Sequence, residues 1–407
     1  MELKPGYKQT DVGVIPESWE VATLRDCCKK ITDGTHDTPR PVNQGIPFLT
    51  AIHVKDNQIA YEECLYVTKA DHEIIFKRCN PEKGDVLMVN IGAGVATTAL
   101  VEVDYEFSLK NVALLKPNVG RVTGAYLNYC LAKKKERITQ ALLSGGAQPF
   151  LSLTQIGQIM ISTPQLKEQK AIAGVLEDMD ALIRSLEKLI AKKRDLKQAA
   201  MQQLLTGQKR LPGFSGNWEV KRLGDVFSIF TGKSKSVYIL DSGDYWIVDM
   251  GSVSTEGRLI VSKATNYSGD FLKIGDLVMP KDDIGGGNII GKVGYINADD
   301  TYVLGDHIYC LRVKEGDPLF LSYVINSYQI NNSLRKKVIG SAQLGLSRKS
   351  VSEQEIPFPI SKEQTAIATV LSDMDAEIAA LEQRLSKTRD LKQGMMQELL
   401  TGRIRLV

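Results

Sequence analysis

The segment Gly286-Gly287-Asn288-Ile289-Ile290-Gly291-Lys292-Val293 lies one residue away from the phosphate-cradling pattern G-x-x-x-x-G-K-[ST]. In that pattern backbone amides hold phosphate oxygens, the lysine neutralises them and the last hydroxyl holds Mg²⁺. Here Val293 replaces the hydroxyl. The stretch Val293-Gly294-Tyr295-Ile296 reads as a strand, whereas a phosphate loop opens a helix. A glycine-rich hairpin or a DNA-facing loop is the better reading. Ile91-Gly92-Ala93-Gly94 is faintly like the glycine turn of a nucleotide or S-adenosylmethionine site. Asp317-Pro318-Leu319-Phe320 is one residue from the D-P-P-[FY] signature of amino methyltransferases. Three points oppose methyl transfer. The second proline is missing, the two segments lie in different halves of the chain, and an Asp cap followed by Pro is a sufficient helix start. Thr123 is the equivalent cap in the other half. Asp282 and Asp283 adjoin Lys281, but nothing near them completes a nuclease centre. With no H-E-x-x-H and no G-x-S-x-G, the chain carries no persuasive catalytic constellation.

Bulk properties narrow the class. The 407 residues are 43% hydrophobic, enough for sizeable cores in two or three domains. A net charge of +3 from 51 basic and 48 acidic residues means that any nucleic-acid contact must come from local patches. The six cysteines, Cys27, Cys28, Cys64, Cys79, Cys130 and Cys310, form no C-x-x-C. They read as reduced thiols of a cytoplasmic protein, with no metal site expected. The N-terminus has no apolar signal core, and no apolar run is long enough for a membrane span.

The elements that would position any site are organised by a duplication. Residues 164–212 and 359–407 align without gaps at an offset of 195, with about 30 of 49 positions identical. Each copy reads as one helix of about 35 residues, introduced by Pro164 or Pro359 and stopped by Gly207 or Gly402. After Ile172, the apolar stripe of the first copy is Leu176, Met179, Ile183, Leu186 and Ile190. After Ile367, that of the second is Leu371, Met374, Ile378, Leu381 and Leu385. Steps of three and four along one narrow stripe are those of a coiled-coil seam. The two stripes are expected to pair with each other in an antiparallel coiled coil. The rival arrangement gives each stripe to a different subunit.

The likeness extends upstream in fragments. Trp19-Glu20-Val21 and Leu24 match Trp218-Glu219-Val220 and Leu223. Gly84-Asp85-Val86-Leu87-Met88 matches Gly275-Asp276-Leu277-Val278-Met279, and Gly145-Gly146-Ala147-Gln148 matches Gly340-Ser341-Ala342-Gln343. Between these anchors the sequences diverge. Short apolar runs at 86–89, 112–115, 247–248 and 308–311 read as strands, and helices are expected over about 124–142 and 318–337. The fold class is therefore α+β with a pseudo-two-fold internal repeat. Its parts are a globular domain at 1–163, a helix at 164–212, a globular domain at 213–358 and a helix at 359–407.

This arrangement resembles the specificity subunit of type I restriction-modification enzymes. The likeness is carried by Lys167-Glu168-Gln169 and Lys362-Glu363-Gln364, by Asp178-Met179-Asp180 and Asp373-Met374-Asp375, and by Leu-Leu-Thr-Gly at 204–207 and 399–402. Gly6-Tyr7-Lys8-Gln9-Thr10, Ile15-Pro16-Glu17-Ser18-Trp19, Asp33-Gly34-Thr35-His36-Asp37-Thr38-Pro39 and Ile46-Pro47-Phe48-Leu49 add to it. The resemblance implies two target recognition domains, each reading half of a bipartite, asymmetric site in double-stranded DNA. It implies helices that set the gap and dock two adenine-N6 methyltransferase (modification) subunits, which restriction and translocase subunits would join. This chain would hold no cofactor. S-adenosylmethionine, ATP and Mg²⁺ would belong to the partners.

Base edges are read by Arg, Lys, Asn and Gln, and phosphates by basic or small polar groups. The DNA-binding candidates are Thr35, His36, Thr38 and Arg40 in the first domain, and Lys233, Ser234, Lys235 and Lys281 in the second. The shared turn nominates Gln148 and Gln343, with Arg348 and Lys349 beside the latter. Tyr105 and Phe107 are expected in the core rather than as stacking platforms. Lys133-Lys134-Lys135 is read first as a solvated helix face and second as a phosphate contact.

Overall fold

The apolar runs of the two globular parts form the same sheets in the same order, although the residues between the shared motifs differ. The structure is a computed structural model that describes residues 5–143, 149–283, 286–340 and 344–406. The chain divides into two units, Met1–Leu186 with Arg384–Val407, and Glu187–Gln383. In the first, an antiparallel four-stranded sheet runs Thr98–Leu100, Val86–Met88, Ala113–Pro117, Cys28–Asp33. In a three-stranded sheet, Ile46–Thr50 lies between a parallel Ser108–Lys110 and an antiparallel Leu65–Val67. Glu20–Thr23 pairs with Met160–Thr163.

The second unit repeats this topology. Its four-stranded sheet runs Gly294–Tyr295, Leu277–Pro280, Ile308–Val313, Phe227–Thr231. Its three-stranded sheet sets Tyr245–Val248 between Tyr302–Leu304 and Lys263–Thr265. Glu219–Arg222 pairs with Glu355–Phe358. The central strands of both four-stranded sheets are buried on both faces. Val86 and Met88 enter one core and Leu87 and Val89 the other. Leu277 and Met279 likewise part from Val278. Burial on both sides explains why these strands read as unbroken apolar runs.

The Gly-Asp motif has a structural task in each unit. Asp85, 5% exposed, accepts from Lys116 Nζ at 2.7 Å on the neighbouring strand. Asp276, 2% exposed, accepts from Arg312 Nη2 at 2.7 Å in the equivalent place. A buried carboxylate is tolerable only when so paired.

The helix Gly124–Leu143 is continuous as expected. Its counterpart is not. Residues 318–337 split into Pro318–Asn326 and Tyr328–Arg335, because Ser327 leaves the helical region with ψ 150°. Asn326 explains the break. Its side chain accepts from Val293 N at 2.9 Å and donates to Val293 O at 2.8 Å, which ties the helix end to the glycine-rich loop.

The long helices span Leu166–Leu204 and Ser361–Leu399, 39 residues each and so about 58 Å long. Gly207 and Gly402 follow them with φ of +70° and +68°, the left-handed stop that glycine makes without strain. Within each unit the leading end of one helix runs antiparallel to the trailing end of the other. In the second unit Lys193 meets Glu377 at 2.6 Å and Lys197 meets Asp375 at 2.6 Å. In the first, Asp180 meets Lys392 at 2.5 Å, and Glu168 meets Arg405. Of the predicted seam, Leu176, Leu186, Ile190, Leu371 and Ile378 are buried, while Met179, Ile183, Met374, Leu381 and Leu385 are half-buried. Among the described residues no helix is long and apolar enough to cross a membrane.

The motifs at the helix starts bind the globular parts. Gln169 Nε2 donates to Pro164 O and Arg121 O at 2.8 Å, and its Oε1 accepts from Thr123 N at 3.0 Å. Gln364 does the same with Pro359 O and Asp317 N. Glu168, 2% exposed, accepts from Trp19 Nε1 at 3.0 Å and from Arg405 Nη2 at 2.8 Å. Replacing it with alanine should strand both donors. The expected loss is about 2–3 kcal/mol, below the usual range for a broken buried pair because Arg405 keeps partial access to water. Glu168→Gln retains an acceptor for Trp19 and should lose clearly less. Denaturant unfolding followed by tryptophan fluorescence checks both.

Candidate nucleic-acid interface

Two glycines at equivalent places bring the candidate loops to one end of the sheets. Gly34 ends the edge strand Cys28–Asp33, and a Cβ there would lie 2.1 Å from Leu109 O. Gly232 ends Phe227–Thr231, and a Cβ there would lie 2.1 Å from Gly305 O. Only glycine lets the chain cross so closely from the four-stranded to the three-stranded sheet. The loops that follow, 34–40 and 232–240, are therefore counterparts, although their sequences share little.

In the first unit the loop is held by its neighbours. Thr35 N donates to Leu109 O at 2.9 Å, and Thr35 Oγ1 accepts from Asp37 N at 3.1 Å. His36 is exposed, with Nδ1 2.9 Å from Asn111 Oδ1 and Nε2 3.3 Å from Asp33 Oδ2. Thr38 is bonded by Lys110 Nζ. Arg40 is exposed and has no ion-pair partner among the described residues. The structure adds residues that sequence reasoning missed. Arg78 reaches in from the helix Lys69–Cys79 and donates Nη2 to Asp33 Oδ1 at 2.5 Å. With Lys110 and Asn111 it surrounds the loop with donors. Arg78 is 42 residues from His36 in the chain, so no local pattern could have shown this. The only sequence signal was the basic pair Lys77-Arg78 at the helix end.

In the second unit Lys233 and Ser234 are exposed, the serine hydroxyl donating to Ser236 Oγ at 3.2 Å. Lys235 departs from the expectation of a surface residue. It is 4% exposed, with Nζ 2.8 Å from Asp270 Oδ2 and 4.9 Å from the centre of the Tyr267 ring. Its charge is spent on holding the loop, because two partners more than 30 residues away fold over it. Lys281 is half-buried at the end of the strand Leu277–Pro280. Its backbone N donates to His307 O at 2.9 Å, and its O accepts from Leu346 N at 2.9 Å. His307, also missed, is exposed with Nδ1 2.7 Å from Asp282 Oδ2. Arg348 is exposed and donates Nη2 to Ile229 O at 2.5 Å, whereas Lys349 is exposed with Nζ 3.9 Å from Glu353 Oε1. Gln148 and Gln343 lie outside the described residues.

The motifs that looked like enzyme loops fall at this same end. Gly92 N donates to Pro149 O at 2.9 Å and Ile91 bridges to Phe150, while Asp282–Asp283 pairs with Leu344–Gly345. Ile91–Gly94 leads into the strand Thr98–Leu100 and Gly291 into Gly294–Tyr295, so neither loop opens a helix that could receive phosphate. Asp317 is the expected cap. Its Oδ1 accepts from Leu319 N at 3.0 Å and Phe320 N at 2.9 Å, and Thr365 donates to its Oδ2 at 2.9 Å. That carboxylate is consumed by the fold. Phe107 is fully buried, but Tyr105 is 51% exposed and meets Tyr61 edge-on, a departure from its expected core position. On the helix Gly124–Leu143, Lys135 pairs with Asp56 at 2.6 Å and Lys133 donates to Gln397 O at 3.5 Å. Burial lowers the affinity of Lys133 and Lys134 for their protons. That row is therefore only partly a solvated face.

A family model described as the type I restriction modification DNA specificity domain matches residues 16–193 and again 215–388. A Methanocaldococcus jannaschii protein named as the MjaX specificity subunit of a type I restriction enzyme is 27% identical over 98% of this chain and 97% of its own length. The MjaVIII specificity subunit of the same organism is 25% identical over 96% of this chain and 94% of its own length. The S subunit of a type I restriction-modification system from M. genitalium shares the fold, with a TM-score of 0.64 at 15% identity, covering 98% of this chain and 99% of that one. A chain from a structure on complex assembly and conformational transition of the type I R-M system superposes with a TM-score of 0.57 at 16% identity, covering 96% of this chain and 99% of that one. Two copies of the specificity domain account for most of the 407 residues, and the chain belongs to the type I restriction-modification DNA specificity family.

Proposed function

We propose that this chain is the non-catalytic, sequence-reading subunit of a type I restriction-modification enzyme, and that each unit reads one half of a bipartite, asymmetric DNA site. The observation that carries the reading is one sheet framework used twice, with divergent loops at the same end. In the first unit Thr35, His36, Thr38, Arg40, Arg78, Lys110 and Asn111 would face DNA. In the second, Lys233, Ser234, Lys281, His307, Arg348 and Lys349 would do so. Base edges are read by such side chains, and phosphates by the flanking basic groups. Half-sites one helical turn apart are about 34–36 Å from centre to centre, a distance that a stiff helix keeps and a flexible linker would blur. The repeated helices offer two equivalent surfaces for two identical modification subunits. Those subunits, and the restriction subunits that join them, would bring S-adenosylmethionine, ATP and Mg²⁺ in the cytoplasm.

Methylome mapping of cells carrying this chain with its modification subunit tests the reading. The expected result is methylated adenine in a motif of two specified parts separated by a fixed unspecified gap. A single continuous motif would refute the two-reader arrangement.

A further inference from the structure

We propose that four three-part joints, two in each unit, fix the angle of each reading domain on its helices and thereby hold the gap between half-sites to one length. This rests on the split-site reading above. In the first unit one joint is Trp19, Glu168 and Arg405, and the other is Tyr129, Asp180 and Lys392. In the second the joints are Trp218, Glu363 and Arg210, and Tyr323, Asp375 and Lys197. Every joint takes an aromatic donor from the reading domain, a carboxylate from the leading end of one long helix and a cation from the trailing end of the other or just beyond it.

The geometry is reproduced from unit to unit. Tyr129 Oη donates to Asp180 Oδ2 at 2.7 Å and Tyr323 Oη to Asp375 Oδ2 at 2.8 Å. Lys392 Nζ stands 5.5 Å from the Tyr129 ring centre, and Lys197 Nζ stands 5.3 Å from that of Tyr323. The Arg405 guanidinium lies 5.6 Å from Trp19, and that of Arg210 lies 5.4 Å from Trp218. Burial beside the carboxylates drives both tyrosines far above their ordinary pKa, so each hydroxyl keeps its proton and donates. In the first unit Asn57 Nδ2 adds a third contact to Asp180 at 3.5 Å.

A purely stabilising role does not require this chemistry. Buried ion pairs contribute little net stability against apolar groups of the same volume, so their repetition in both units points to a role in geometry. The apolar clusters around them already supply cohesion. Glu168 and Asp180 stand on one helix about 18 Å apart along its axis, so the two joints together resist rotation that either alone would permit. All six residue types recur at matched positions in the second unit, while the DNA-facing loops do not.

The test uses the full chain in complex with its modification subunit, carrying Tyr129→Phe, Asp180→Asn or, as the conservative control, Lys392→Arg. Methylome mapping reads the half-site bases and the gap, and thermal unfolding of each complex reports folding. The half-site bases should stay unchanged in every variant. In the first two, methylation at sites with a gap one base pair longer or shorter should rise roughly tenfold relative to the cognate gap. Lys392→Arg should keep the gap as sharp as in the unmodified chain. Should Asp180→Asn fail to fold, Tyr129→Phe, which removes one hydroxyl, decides alone. A gap as sharp as the unmodified chain's in a folded Tyr129→Phe complex overturns the joints, whatever happens to total methylation. Absence of a split motif in the unmodified chain would instead overturn the reading on which they rest.

Discussion

A chain ending at Gln383 is expected to lose the fold of its first unit, although every residue proposed to face DNA in that unit is still present. Residues 384–407 belong to the first unit despite their place at the far end of the sequence. Leu399 and Leu400, each 4% exposed, share one core with Ile15, Trp19, Tyr126 and Leu176, and Met395, Met396 and Leu406 pack against it. Burying each leucine is worth about 1.5–3 kcal/mol. Truncation also strips Glu168 and Asp180 of Arg405 and Lys392, which leaves two carboxylates in partly or fully buried sites without their counter-charges. A broken buried pair costs about 3–5 kcal/mol, so the combined loss is comparable with the whole stability of a typical domain, about 5–15 kcal/mol. Size-exclusion chromatography and circular dichroism of the truncated chain should show aggregated or partly unfolded protein. A folded monomer with unchanged melting temperature would contradict the assignment of the C-terminal segment to the first unit's core.

The second large effect concerns specificity. Exchanging residues 15–160 for the corresponding reader of a relative should replace one half of the recognised sequence and leave the other half and the gap as they were. The four-stranded and three-stranded sheets of the first unit, the helix Gly124–Leu143 and the loops at 34–40, 89–97 and 111–112 all lie inside this segment. The carboxylates and cations that hold it lie outside, on the long helices and beyond them. Each mismatched base pair costs about 1–3 kcal/mol, so over several positions the original half-site should become indistinguishable from non-specific DNA. Methylome sequencing before and after the exchange measures this. A change in both half-sites would sink the modular reading.

Much of this was legible because the relevant interactions are local or periodic. The apolar stripe at 176, 179, 183, 186 and 190 can only be one face of a helix, and glycines at 207 and 402 can only end it cleanly. Asp317-Pro318 announced a helix start through chemistry between adjacent residues, which weighs against the methyltransferase likeness. The matched anchors around divergent segments disclosed two versions of one framework. Failures occurred where a distant group decides the outcome. Ser327 interrupts a helix because Asn326 is engaged by Val293 across 33 residues. Lys235 looked like a surface cation until Asp270 and Tyr267 closed over it. Arg78 and Lys110 looked unremarkable until the sheets set them beside the loop of His36.

The sequence by itself therefore determined the duplication, the two long helices, the α+β readers and the absence of a catalytic motif, because periodicity, capping and repeat identity are properties of neighbouring residues. Which helix end serves which reader was decided by the tertiary structure alone. The motifs Lys-Glu-Gln, Asp-Met-Asp and Leu-Leu-Thr-Gly were visible as repeats, but their meaning was not. Glu168, Asp180, Glu363 and Asp375 are each completed by a cation from the other copy, 212 residues away for Asp180 and Lys392 and 153 for Glu363 and Arg210. A buried charge takes whichever partner the packed core delivers to it, and that delivery depends on the antiparallel course of the two helices within each unit rather than on any spacing along the chain.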